Sequence, residues 1–148
     1  MVDATLLAVL PAAVDGLPVN ESPEGEDAAL ADPILPQVAS EIASGLAIDA
    51  ATGDFVYVVV VRLLPGGFDD ATFRDWRDTY DIGACSQAGG VAGKAEATIG
   101  GRHVFIGTCA GGVRTYHVRL VERGLLISLS AVGDQRRLGE LLLKGLRP

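Results

Sequence analysis

The residues best suited to chemistry in this chain are two cysteines, Cys85 and Cys109, and two histidines, His103 and His117. The cysteines lack the close spacing of a redox pair and the ligand number of a structural zinc site, so a disulfide is their simplest use. Such a bridge would place the chain outside the reducing cytosol. Gly107-Thr-Cys109-Ala-Gly111 has the spacing of a nucleophile elbow with Cys in place of Ser, and both histidines lie near it. An elbow needs a helix directly after the nucleophile, whereas Val113 to Glu122 reads as a strand, and a bridged sulfur offers no thiolate. His103 and His117 with Glu96 or Glu122 make a poor metal set, because the expected register puts the histidines on different strands several residues apart. Gly89-Gly-Val-Ala-Gly93-Lys94 falls short of a phosphate loop, since Ala88 stands where the first glycine belongs and Ala95 follows the lysine. The acidic residues between Glu21 and Asp32 lack the alternation of a calcium-binding hand. No catalytic residue, no metal and no cofactor is therefore expected.

The elements that must carry these residues follow from periodicity and turn chemistry. Asp3 can cap a short helix through Leu10, and Val14 to Val19 can turn at Asp15–Gly16. The stretch from 20 to 32, with its Pro, Gly and carboxylates, reads as a mobile acidic loop with at most one helical turn. Asp32-Pro33 opens a second helix in which Ile34, Leu35, Val38, Ile42 and Ala43 recur at helical spacing until Gly45. Phe55 to Leu64 is β-branched and aromatic with apolar side chains in both alternating sets, the pattern of a central strand covered on both faces. Asp69 or Asp70 then caps a helix whose Phe73, Trp76, Arg77 and Tyr80 share one side and anchor it to the sheet.

The second half reads as an antiparallel meander, with strands joined by turns too short for helical crossovers. A two-residue turn at Gly100–Gly101 sets Ile99 opposite Arg102, Ala97 opposite Val104 and Ala95 opposite Ile106. A three-residue loop of Gly111, Gly112 and Val113 would align Val104 with Leu120 and Ile106 with Val118, burying apolar against apolar. A turn at Arg123–Gly124 brings Ile127 and Leu129 to the same face. The opposite face collects Glu96, Thr98, His103, Phe105, Thr115, His117, Arg119, Ser128 and Ser130, with Arg119 expected to lie on the Phe105 ring as a cross-strand cation–π pair. Asp134 would cap a final helix with Leu138, Leu141, Leu142 and Leu146 as its apolar stripe.

The whole describes one α+β domain over residues 1–148, an antiparallel meander sheet packed by about four helices in a two- or three-layer sandwich. About half of the residues are hydrophobic, enough for a substantial core. A net charge of -7 argues against nucleic acid as a partner. No run approaches the apolar length of a membrane-spanning helix, so no membrane insertion is expected. Thr5 to Ala13 is apolar but follows Asp3 instead of a basic residue, so an export signal or lipid anchor, if there is one, is expected upstream.

In order, an opening Leu-rich helix ending at Leu10-Pro11, a long apolar strand, an aromatic helix and a Gly-punctuated meander closed by a Leu helix resemble small exported, often lipoprotein, domains of high-GC bacteria with a PsbP/Mog1-like α/β/α sandwich. The resemblance carries no diagnostic motif and implies no functional residue. The expectation is an extracytoplasmic, non-catalytic binding or interaction module for a protein or small ligand. Its contact surface would lie on the polar sheet face at His103, Phe105, His117, Arg119, Ser128 and Ser130, or in a groove beside the aromatic helix. The competing readings are a hydrolase-like enzyme for a small ligand using His103 or His117, and a structural spacer in a larger envelope protein.

Overall fold

The computed structural model describes residues 1–147, apart from the Asp134 side chain. Its centre is a seven-stranded antiparallel sheet, in spatial order β3 (Asn20–Glu21), β4 (Ala39–Ile48), β5 (Phe55–Leu63), β9 (Leu125–Val132), β8 (Arg114–Leu120), β7 (Arg102–Cys109) and β6 (Val91–Ile99). A small separate hairpin is formed by β1 (Ala13–Val14) and β2 (Leu17–Pro18). The helices are α1 (Pro23–Leu30), α2 (Leu35–Val38), α3 (Asp70–Cys85) and α4 (Leu138–Lys144), with a 3-10 segment at Ala4–Val9. No helix among the described residues is long and apolar enough to cross a membrane.

Helices cover both faces of the sheet, making three layers. One face presents Val56, Val58, Val60, Ile127 and Leu129 to the 3-10 segment and α4, whose Leu6, Leu10, Leu138, Leu142 and Leu143 complete the larger core. The other face presents Val59, Val61 and Leu126 to α1, α2 and α3, with Phe73 and Trp76 as the large anchors. Both alternating sets of β5 are thus buried, which is why its run of valines shows no polar face. Fully burying a ring such as that of Phe73 contributes about 2–3 kcal/mol.

Two expected elements differ. The acidic stretch from 20 to 32 is not a loop: β3 pairs with β4, and Ser22 caps α1 by accepting from the Gly25 N–H, with Pro23 in the first turn. The helix expected from Asp32-Pro33 stops at Val38, although Asp32 does cap it through the Ile34 and Leu35 N–H groups. Ala39–Ile48 pairs along β5 instead, because alternation places Ile42 in one core and Ala43 and Ala47 in the other. Long-range pairing of both backbone edges outweighs a helical periodicity carried by few residues.

The meander follows the expected hairpin at Gly100–Gly101 residue for residue. In the next hairpin the faces agree but the alignment differs by two residues, since Ile106 pairs with Tyr116 and not with Val118. The loop is Ala110-Gly111-Gly112, closed by the Cys109 N–H donating to the Val113 carbonyl at 2.8 Å. The Gly111 N–H donates to the Ala88 carbonyl at 2.7 Å, and a Cβ on residue 111 would press closely on that carbonyl. In α4, Leu143 is buried and Leu141 is 41% exposed, which corrects the expected stripe. Capping by the Asp134 side chain lies outside the described residues; the residue preceding α4 is Arg137.

Cys85, the last residue of α3, is bonded to Cys109 at the end of β7, with their Cα atoms 5.2 Å apart. The link closes a loop of sequence separation 24 and fixes the C-terminal end of α3 to the sheet. On the chain-entropy account such a loop contributes about 3–4 kcal/mol. The Cys85→Ala/Cys109→Ala variant should therefore unfold roughly 10 °C below the parent, and reductant should lower the parent's midpoint while leaving the variant's unchanged. Thermal unfolding by circular dichroism with and without reductant reads both; equal midpoints would show that the bridge carries no stability.

Candidate functional site

The polar sheet face that the alternation predicts exists, but α3 lies across it. His117 and Ser128 are 1% and 0% exposed, and Thr115 is fully buried beside them. They could not be buried there without partners, since an unsatisfied polar group in such a place costs about 1–3 kcal/mol. The partners come from α3. Asp81 Oδ1 lies 2.8 Å from His117 Nε2 and accepts from Thr115 Oγ1, while His117 Nδ1 lies 2.8 Å from Ser128 Oγ, which accepts from Trp76 Nε1 at 2.9 Å. One assignment satisfies every group: Trp76 donates to Ser128, Ser128 to a neutral His117, and His117 through its Nε2–H to an ionised Asp81.

Electrostatics agree with that assignment. Burial is the main cause that pushes His117 below its ordinary value, and it outweighs the support from Asp81. For Asp81 burial alone would raise the carboxyl, but the hydrogen bonds donated by His117 and Thr115 hold it below the usual carboxylate range. Gly107 on β7 makes the approach possible, because a Cβ there would collide with the Asp81 carboxylate and the Thr115 hydroxyl. The glycine that imitates a nucleophile elbow therefore admits a helix side chain to the sheet.

An aspartate, a histidine and a serine in hydrogen-bonded sequence invite comparison with a hydrolytic triad. Here Ser128 is fully buried and its oxygen already accepts the Trp76 N–H, so a substrate carbonyl has no room beside it. The chain of bonds is a clamp between α3 and β7–β9.

The six residues expected to form one binding face are divided by α3. His117 and Ser128 lie in the clamp, and Ser130 is hydrogen-bonded to Tyr80 at 2.8 Å. His103, Phe105 and Arg119 lie by the N-terminal part of α3, where His103 Nε2 is 2.7 Å from Glu96 and Arg119 pairs with Asp70 at 2.8 Å. The expected cation–π pair is also redistributed: Arg77 lies 3.7 Å from the Phe105 ring centre, and Arg119 lies 4.5 Å from that of Phe73. Among the described residues no group of three or more His, Cys, Asp or Glu side chains is placed to hold a metal ion.

Beside the aromatic helix, where the sequence reading allowed a groove, the structure has a cleft between α3 and α1 of about 650 Å³, one wall of which is the helix formed by the stretch expected to be a loop. Its floor is β5 with Tyr57 and Val59, its walls carry Ala28 and Ala29 from one side and Trp76 and Tyr80 from the other. Gly25 lets α1 settle on the sheet, since a Cβ there would strike Ser44 and Tyr57, and the Tyr57 hydroxyl donates to the Gly25 carbonyl at 3.2 Å. Burial pushes the pKa of both Tyr57 and Tyr80 upward, so both phenols stay protonated donors at neutral pH. Glu26, 4% exposed, accepts from the Ser44 N–H, and burial raises its carboxyl above the ordinary value. A second hollow of about 390 Å³ lies between α3 and β6–β7, where Arg74, Lys94 and Glu96 line it together with Asp81 and His117. Comparison with protein families, with curated proteins and with solved structures finds no match to the chain.

The clamp has a signed pH dependence. The folded pKa values of His117 and Asp81 both lie below their ordinary 6.5 and 3.8, so the unfolded chain binds more protons. Their stabilisation is complete above the unfolded histidine value and is lost as the solution is acidified, first as the unfolded imidazole titrates and again as the carboxyl does. Unfolding midpoints should thus fall between about pH 7.5 and about pH 5, and the slope should flatten in Asp81→Asn/His117→Gln. Asp81→Ala alone, which strands the donors of His117 and Thr115, should cost about 1–3 kcal/mol for each of them in denaturant unfolding at neutral pH. An unchanged slope in the double variant would remove the clamp from the acid response.

Proposed function

We propose that this domain is a non-catalytic binding module that works outside the cytosol, and that the α1–α3 cleft is where it takes a small ligand. The observation that carries this reading is the cleft itself. At about 650 Å³ it falls within the range of small-molecule sites, with apolar walls and hydroxyls placed at its floor. The fitting ligand class is an apolar or aromatic molecule with one hydrogen-bonding group, able to lie along Val59 and Trp76 and reach the Tyr80–Ser130 pair. The disulfide supports the extracytoplasmic assignment, since such links persist in oxidising compartments. The three-layer arrangement is of the α/β/α kind that the resemblance to PsbP/Mog1-like exported domains implies. The hydrolase-like alternative has less support, because both ring nitrogens of His117 are committed to Asp81 and Ser128, and His103 Nε2 to Glu96.

Gly83 provides a clean test. It lines the cleft from α3, and a Cβ there meets nothing within 4 Å, so a large side chain can fill the cavity without disturbing the core. An anilinonaphthalene sulfonate dye should brighten and shift to the blue with the parent and not with Gly83→Trp, whose unfolding midpoint should equal or exceed the parent's. Equal dye response in both proteins, or none in the parent, would overturn the cleft as the site.

A further inference from the structure

The sheet ends in an open strand. β6 is the last in spatial order, and from Val91 to Glu96 every residue is exposed. The Gly100–Gly101 turn, with both φ angles positive at 59° and 79°, is a two-residue hairpin whose closing pair is Ile99 and Arg102. Counting back from that pair, Ala97, Ala95 and Gly93 direct their N–H and C=O groups toward β7. Thr98, Glu96 and Lys94 direct theirs outward, and none of these backbone groups has a hydrogen-bond partner beyond the hairpin among the described residues. An edge of this length is a template for another strand unless its side chains forbid it.

Here the side chains select a partner. A second copy of β6 can add antiparallel only in registers that bring outward-facing residues opposite outward-facing residues. Of the central registers, one places Lys94 opposite itself and one places Glu96 opposite itself, and like charges in that position are destabilising. The third has its two-fold axis at Ala95, the middle of the strand, and sets Lys94 opposite Glu96 of the partner subunit and Glu96 opposite Lys94 of the partner subunit. It also overlaps the regular part of β6, with Gly93 facing Ala97, and stops short of the bulge between Val91 and Gly93. We propose that the chain forms a two-fold dimer through β6 in this register, joining two seven-stranded sheets into one continuous sheet. Within it Lys94 and Glu96 of the partner subunit exchange both main-chain hydrogen bonds. In the single chain Lys94 pairs with Asp78 and Glu96 with His103, contacts on exposed side chains that can be shared with or yielded to the partner. An axis perpendicular to the sheet leaves both copies of α3 on the same face, side by side.

The register makes the test internally controlled. Sedimentation of the parent over about a hundredfold range of concentration should show a dimer that dissociates on dilution. Lys94→Glu and Glu96→Lys should each be monomeric, with dimer affinity weakened at least about tenfold. The double variant Lys94→Glu/Glu96→Lys should recover it. An equimolar mixture of the two single variants should also associate, because each then supplies the charge the other needs, and this recovery excludes misfolding as the cause of the monomers. A parent that stays monomeric at every concentration overturns the proposal, as do single variants that dimerise like the parent or a mixture that fails to associate. A monomeric parent that takes up an unrelated extended peptide along β6 would assign the edge to a foreign strand and overturns it equally.

Discussion

A carboxylate inside a helix can be pressed onto a sheet only if the sheet supplies the hydrogen bonds that water supplied before. Asp81 is 3% exposed, and everything on that side of the molecule is arranged around meeting this demand. Thr115 and His117 on β8 supply the donors, Ser128 on β9 orients the imidazole, and Trp76 on the same helix returns a donor to Ser128. The residue that makes room is Gly107 on β7. Three neighbouring strands and one helix are thereby tied at a single polar point, which specifies where α3 lies along the sheet more sharply than its aromatic contacts do, since rings tolerate sliding and a chain of hydrogen bonds does not.

The ends of α3 are held by different physics. At its N-terminus Asp69 caps the first turn by accepting from the Thr72 N–H, and Asp70 pairs with Arg119. There Arg77 and Arg119 lie against Phe73 and Phe105, a mixed cationic and aromatic stack. At its C-terminus the hold is covalent, through Cys85 and Cys109. Elsewhere the same economy of means recurs: Arg136 reaches Asp15 and Asp49, tying the β1–β2 hairpin and the β4–β5 turn to the segment after β9.

Much of this was legible in the residues. The disulfide, a cap at Asp69 or Asp70, the double-sided burial of β5, the Gly100–Gly101 hairpin and the division of the meander into an apolar and a polar face all follow from local chemistry and period-two alternation. Most of what was lost needs a partner far away in sequence. Asp81 stands four residues beyond Arg77 and eight beyond Phe73, on the inward side of the aromatic helix, but a carboxylate there looks misplaced until His117 is known to face it. The polar face is visible in the sequence but its cover is not, because alternation says which side chains share a face and nothing about what covers it. The segment from Ser22 to Leu30 carried the same cap-and-proline signature in Ser22-Pro23 that was recognised in Asp32-Pro33, and its carboxylates masked it. Conversely, Val38 and Ile42 fit a helix until β5 is present to pair with Ala39–Ile48.

Placing α3 by this clamp also determines where the molecule is open. The helix cannot move toward α1 without breaking the bonds of Asp81, nor away from it without losing the Tyr80–Ser130 contact. The space between α1 and α3 is therefore a fixed gap, held from beneath by hydroxyls and from the far side by Gly25 against Tyr57. A preformed gap requires little reorganisation on binding, which favours recognition of a small rigid ligand over coupled folding of a long segment. The opposite edge of the same sheet, at β6, is open for an unrelated reason, since among the described residues no strand pairs with it beyond β7. The cleft and the edge lie at opposite flanks of α3 and involve different strands, so a ligand in one and a second chain on the other can be accommodated together. The two surfaces follow from one placement of a helix, and occupancy of either leaves the clamp between them intact.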